Sequence, residues 1–209
     1  NGDQRPTGLY VGLGVRTSGT QVSFAQGSPQ ATDEQYDLMI EGSGFFQVSV
    51  PEAPGGVAYT RAGNFSLNSD GELVMASDQG RRLEPSISVP PEAIRVEIDA
   101  TGRVFARIEG QQQPQEIGQI ETAVFVNPAG LSQVGENMFV ESAASGPPIV
   151  GQPGIESRGK LIQGHLETSN VDPTRELIEL IRTQRAFEFN SQTIRTADET
   201  LRSVAQLRR

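Results

Sequence analysis

Three short stretches of the sequence carry residue types that could bind a nucleotide or a metal ion. Residues 154–161, GIESRGKL, approach the G-x4-G-K-[ST] phosphate-binding loop, but Leu161 stands where a magnesium-binding hydroxyl is needed. Residues 12–17, GLGVRT, begin like a dinucleotide-binding fingerprint and lack its third glycine. Residues 66–77 resemble a calcium-binding loop, yet Ser77 takes the place of the bidentate Glu. We interpret all three as turn or loop sequences.

His165 is the only histidine of the chain, and the chain contains no cysteine. One imidazole cannot build a zinc site by itself, and the sequence has no G-x-S-x-G motif to supply a serine nucleophile. We expect His165 to lie on a strand or at its end with a structural role. The sequence therefore predicts no catalytic, cofactor-binding or metal-binding residue, no cofactor, and a protein that is not an enzyme.

The distribution of charge argues against binding to nucleic acid. The net charge is −9, and residues 1–173 carry 10 Lys and Arg against 21 acidic residues. An acidic body of this kind repels a phosphate backbone. The sequence also has no run of about 18 apolar residues, so we predict no insertion into a membrane.

Turn residues and short apolar segments dominate residues 9–168. The chain has 23 Gly and 13 Pro, and segments such as NFSLNSDGELV and VEIDATGRVFARI predict hairpins around Gly71 and Gly102. Residues 118–126, GQIETAVFV, predict one strand with Ile120, Thr122, Val124 and Val126 on one face. The predicted fold class is therefore mainly β, with a sandwich-like or barrel-like head of short antiparallel strands and hairpins.

One long amphipathic helix is expected to follow the head. Asp172 is a favourable N-cap and Pro173 suits the first helical position, and nothing breaks the helix over residues 173–208. We divide the chain into an extended linker with the first strands at residues 1–37, a β-rich head at 38–168 and a coiled-coil helix at 169–209.

The apolar residues of this helix form a seam with a seven-residue spacing, which is typical of helix–helix packing. Thr183 and Asn190 interrupt the seam. An average amphipathic helix packs on its own domain, but a helix of about 54 Å is longer than a head of this size is wide. We therefore predict a partner helix. The predicted helix–helix interface consists of Leu177, Leu180, Ile181, Phe187, Ile194, Ala197, Leu201 and Val204.

Three long segments resemble the bacterial flagellar rod and hook axial proteins. They are IEGSGFFQV at residues 40–48, YTRAGNFSLNSDGELV at 59–74, and GHLETSNVDPTRELIELIRTQRAFEFNSQTIRTADETL at 164–201. Two further segments are similar to the branch of the family that builds the distal rod of the basal body, namely the region from LYVGLGVR to EGSGFF and VGENMFVESAASGPP. The resemblance extends over nearly the whole chain.

The resemblance implies a structural axial subunit that assembles helically with copies of itself into the driveshaft between motor and hook. It also implies contacts with neighbouring rod and hook proteins, with bushing rings in the peptidoglycan and outer membrane, and with the flagellar export apparatus. By the same resemblance the protein lies in the basal body, from periplasm to outer membrane, and is exported by type III secretion without a cleaved signal peptide.

The resemblance also raises two open points. Family members begin with a helical segment that pairs with the C-terminal helix, and we expect this segment to be missing here, since the chain starts near PTGLYVGLGVR. A hook or proximal rod protein of the same family remains an alternative. A binding module with a helical stalk is the alternative from a different functional class.

Overall fold

The computed structural model describes residue 16, residues 19–111 and residues 113–207. In this part of the chain, short strands are followed by one long helix, α1, at Pro173–Leu207. The strands are β1 Pro29–Ala31, β2 Leu38–Glu41, β3 Phe45–Ser49, β4 Val57–Thr60, β5 Phe65–Leu67, β6 Leu73–Met75, β7 Leu83–Glu84, β8 Ala93–Ile98, β9 Arg103–Ile108, β10 Gln115–Gln119, β11 Thr122–Val124, β12 Ser132–Gly135, β13 Met138–Val140, β14 Ile149–Gly151, β15 Lys160–Gln163 and β16 His165–Glu167. The predicted fold class, mainly β with a long C-terminal helix, is confirmed. Apart from Arg16, the GLGVRT stretch lies outside the described residues.

The head is organised around a seven-stranded antiparallel sheet. Its strand order is β12-β13-β4-β3-β11-β14, and β7 also pairs with β3. A three-stranded sheet has the order β10-β9-β8, and three strand pairs complete the arrangement, namely β1-β16, β2-β15 and β5-β6. The pair β1-β16 brings together the first and the last of these strands.

Apolar side chains cover both faces of the seven-stranded sheet. On one face Phe46 and Val48 of β3 belong to the main core, which also includes Leu38, Leu73 and Val104. On the other face a smaller cluster consists of Phe45, Tyr59, Ala123, Phe125 and Leu131, with Phe24, Val57 and Phe139 packed against it. The head thus buries its own apolar surface, which is the main stabilising term in folding.

The two predicted hairpins are present. In the first, Leu67 of β5 pairs with Leu73 of β6, and the Asn68 side chain accepts hydrogen bonds from the backbone N–H groups of Asp70 and Glu72. In the second, Ile98 of β8 pairs with Val104 of β9. Both turns were predictable because their geometry depends on local sequence.

The prediction for residues 118–126 was partly wrong. This stretch is divided between β10, which ends at Gln119, and β11, which begins at Thr122 in a different sheet. Ile120 and Thr122 are buried as expected, but Val126 is 81% exposed, while Phe125 is buried in the second cluster. The expected alternation fails for two reasons. Strand β11 ends at Val124, so Val126 lies beyond it, and the sheet is apolar on both faces, so Phe125 is buried on the other one.

Gly63 lies close to the backbone at the start of β2. Its carbonyl accepts a hydrogen bond of 2.9 Å from the Leu38 N–H at the start of β2. A Cβ atom at position 63 would lie 1.6 Å from the Leu38 carbonyl oxygen. Because the opposing atom belongs to the backbone, a side chain could be accommodated only by displacing β2 from the core.

We predict that Gly63→Ala destabilises the head by roughly 2–4 kcal/mol, as expected where a substitution forces buried backbone apart. Thermal unfolding followed by circular dichroism measures the effect. Gly19→Ala is the matched control, since a Cβ there meets nothing within 4 Å. Equal unfolding temperatures for the two variants would contradict the tight approach of β2 to residue 63.

Candidate helix–helix interface

The N-terminus of α1 is built as the sequence predicts. The Asp172 carboxylate accepts hydrogen bonds from the backbone N–H groups of Thr174, at 2.9 Å, and Arg175, at 3.4 Å. These groups have no partner within the helix, so the side chain of the capping residue satisfies them. Glu176 lies in the first turn, where a negative charge interacts favourably with the helix dipole. The cap fixes the starting point of the seam.

The predicted seam residues lie along α1 with their side chains exposed. Leu180, Phe187, Ile194 and Leu201, which follow one another at seven-residue intervals, are each between 65% and 72% exposed. Leu177, Ile181 and Ala197 are also exposed, and the side chain of Val204 lies outside the described residues. A large apolar stripe therefore faces solvent on the described chain, and its arrangement fits the packing of one helix on another.

The interpretation that α1 packs along its own head is wrong. Among the helix side chains that the structure describes, every one is exposed except that of Ser191, which is half-buried. The two intrahelical ion pairs Arg182–Glu179 and Arg202–Asp198 are exposed as well. Such surface pairs contribute little stability. The described residues of the head therefore do not bury the side chains of this helix.

The polar residue Thr183 in the seam carries no unsatisfied hydroxyl. Its Oγ1 donates a hydrogen bond of 2.8 Å to the Glu179 carbonyl one turn earlier. Back-bonding of this kind directs the hydroxyl to the helix itself and leaves the methyl group free to pack. Thr183 is thus compatible with an apolar interface.

Phe189 is an exposed aromatic residue that the seam prediction missed. It is 71% exposed and lies two residues after Phe187, which places it on a different side of the helix. Thr193 and Thr196 lie near it, and their hydroxyls donate to the Phe189 and Gln192 carbonyls. The sequence AFEFN could have indicated this residue, because it contains two aromatic residues two positions apart. An analysis that looks for apolar residues on only one side of the helix detects the first and not the second.

Two of the residues that could have bound a nucleotide or a metal ion lie on strands and do not form such a site in the described part of the chain. Lys160, the lysine of the GIESRGKL stretch, begins strand β15 and not the helix that a phosphate-binding loop requires. His165 lies on β16 as expected, with its Nδ1 3.0 Å from the Gln163 carbonyl oxygen. In the residues that the structure describes, no group of three acidic or histidine side chains converges on a point where a metal ion could bind.

No helix in the described part of the chain combines the length and the apolar character that crossing a membrane requires.

Two family models match the sequence. Residues 39–106 match the D1 domain of the flagellar hook protein FlgE/F/G, and residues 162–207 match the C-terminal region of the flagellar basal body rod FlgEFG proteins. The second match includes the whole of α1.

Individual relatives agree with the family models. The sequence is 45% identical to the flagellar basal-body rod protein FlgG of Buchnera aphidicola over 97% of this chain and 76% of that protein. It is 42% identical to FlgG of Caulobacter vibrioides over 100% of this chain and 78% of that protein. The flagellar hook protein FlgE of Salmonella typhimurium is 38% identical over 57% of this chain and 29% of its own length.

We predict that Asp172→Ala reduces the helicity of the first turns of α1, because removal of an N-cap side chain costs about 1 kcal/mol. Backbone chemical shifts of residues 173–180 measure the loss. Asp198→Ala removes an acidic side chain from the C-terminal half of the same helix and is the matched control. Unchanged shifts in Asp172→Ala would show that the cap does not stabilise the start of the helix.

Proposed function

The chain belongs to the FlgG family of flagellar basal-body rod proteins and is a structural axial component of the distal rod, and we propose that α1 is the element that joins it to its neighbours. The family is structural and not catalytic. The proposal is based on one observation, the exposed apolar seam of α1. Exposed apolar surface of this extent on a monomer is typical of an interaction site.

The energetics favour burial of this seam. Complete burial of one large seam side chain such as Phe187 or Leu201 contributes on the order of 2–3 kcal/mol by its apolar area. Several such residues in register provide the strength that a rod under torque needs. The contribution is available only when the seam meets another surface, because the side chains are exposed in the described chain.

A helix is the partner whose shape fits this seam. Apolar residues at seven-residue intervals insert between the side chains of a facing helix, whereas a flat sheet offers no matching holes. Asn190 occupies a seam position, and a buried polar residue at such a position favours one register over others. We therefore propose a coiled-coil contact made by Leu177, Leu180, Ile181, Phe187, Ile194, Ala197, Leu201 and Val204.

The proposed partners follow from this contact. Family members occur in the rod and in the hook, which supports assembly of this chain with copies of itself and with neighbouring rod and hook proteins. We further propose that the assembled rod spans the periplasm to the outer membrane within its bushing rings, after export through the flagellar apparatus. In this arrangement α1 lies in the helical inner part and the β head outside it.

We predict that Leu201→Asp abolishes rod assembly and swimming while the β head stays folded. Loss of the buried Leu side chain costs about 2–5 kcal/mol, and burying the new charge adds to this. The test uses the full-length protein in a motile bacterium that lacks its own copy. Soft-agar motility and the yield of isolated basal bodies with complete rods are the measurements.

Gln192→Asp is the control for this experiment. Gln192 lies nine residues before Leu201, which places it on the opposite side of the helix, and its side chain is exposed. The control should assemble and swim normally. Normal swimming of the Leu201→Asp strain, or equal defects in both strains, would contradict a seam at Leu201.

A further inference from the structure

The chain leaves the head at β16 and reaches α1 through residues 168–172. Beside this exit lies an arm, defined here as residues 23–31, which includes β1. The Thr168 N–H and hydroxyl both donate to the Ser28 carbonyl, at 3.0 and 2.9 Å. The Asn170 side chain donates to the Ala25 carbonyl at 2.7 Å. The residues just before the helix are therefore hydrogen-bonded to the arm. Contacts that hold the arm in place on the head also hold these residues in place.

Arg61 lies at the point where the head, the arm and β16 meet. Its Nε is 2.9 Å from a Glu167 carboxylate oxygen, and the two side chains are only 16% and 12% exposed. Its guanidinium group also donates to the carbonyls of Gly44, at 3.0 Å, and Gly42, at 3.2 Å. One side chain thus connects the last strand before the helix to the loop between β2 and β3.

Glu167 extends this connection to the arm. Its second carboxylate oxygen accepts a hydrogen bond of 2.8 Å from the Gly27 N–H. A Cβ atom at position 27 would lie 1.8 Å from the Thr168 carbonyl oxygen, so the two segments approach as closely as only glycine allows. The carboxylate is therefore shared between Arg61 and the arm.

Two further side chains attach the arm to the head. The Gln26 amide donates to the Ile40 carbonyl and accepts from the Gly42 N–H, both at 2.9 Å. The ring of Phe24 packs edge-on against Phe45 and Phe139, with centroids 5.4 and 5.1 Å away. Such perpendicular aromatic contacts fix orientation as well as contributing apolar burial.

We propose that Arg61 and Glu167 are positioning residues that fix the direction in which α1 leaves the head. The arm and residues 168–170 bind each other, and the Arg61–Glu167 pair binds both to the loop between β2 and β3. In a rod, such a joint prevents the head from pivoting when torque acts on the helix. The joint is a different site from the seam and does not depend on a partner for α1.

Arginine is suited to this position for a geometric reason. Its planar guanidinium group presents five donors in a rigid fork, so it can bind a carboxylate and carbonyl oxygens at the same time. The lysine ammonium is a compact charge on a flexible stem and cannot hold the same set of acceptors in fixed positions. Arg61→Lys should therefore preserve the charge and lose much of the alignment.

The test measures the distribution of distances between two spin labels by pulsed electron–electron double resonance. The chain has no native cysteine, so Glu92→Cys in the head and Thr174→Cys in the first turn of α1 are labelled uniquely, and both positions are exposed. The doubly labelled chain is diluted with unlabelled chain so that only distances within one molecule are recorded. Arg61→Ala should widen the distribution about twofold, because several exit directions then become populated. Arg61→Lys should give an intermediate width.

Two further variants keep the result interpretable. Arg82→Ala removes an arginine from an ion pair with Glu72 that involves neither the arm nor Glu167, and its distribution should match that of the parent chain. If Arg61→Ala unfolds the head, as its thermal melt would show, Glu167→Gln is the second variant. It keeps one acceptor oxygen for the Gly27 N–H, removes the charge and places an NH2 donor where Arg61 needs an acceptor, so it should also widen the distribution. A width equal to that of the parent chain in a folded Arg61→Ala or Glu167→Gln variant would overturn the proposal.

Discussion

The apolar seam of α1 is the constraint on which the rest of the account depends. A helix of 35 residues gains little from intrinsic propensity, and most helical stability in proteins comes from burial of an apolar face. Here that face is exposed throughout the described residues. The head does not cover this face, and its own side chains form the two clusters that cover its main sheet. Under the proposed coiled-coil contact, the helix gains its full stability on assembly.

This constraint divides the molecule into parts with different tasks. The head is stabilised from within, by the core around Phe46 and by the second cluster around Phe45. The helix provides the surface that we propose for assembly. Between them, the contacts of Arg61 and Glu167 join segments that are 106 residues apart in sequence. A driveshaft needs each of these properties, since torque must pass between subunits and between the parts of each subunit.

The parts of the structure that depend on local sequence could be predicted. The Asp172 cap, the hairpin turn at Asn68 and the seven-residue spacing of the seam each follow from residues close together in the chain. The division of residues 118–126 between two sheets could not, because it depends on which distant strands cover each face. The joint was missed for the same reason, since nothing near Arg61 in the sequence points to Glu167. Phe189 was missed because it lies outside the single stripe that the spacing defines.

Amide hydrogen exchange of the dilute monomeric chain tests the central claim most directly, with the monomeric state checked by sedimentation. An element with few buried contacts exchanges quickly, and a packed core exchanges slowly. The account predicts fast exchange over residues 173–207 beside a strongly protected head, because the seam finds no cover in an isolated chain. Protection of α1 equal to that of the head strands in the monomer would show that the helix is stabilised within its own chain, and would contradict the account.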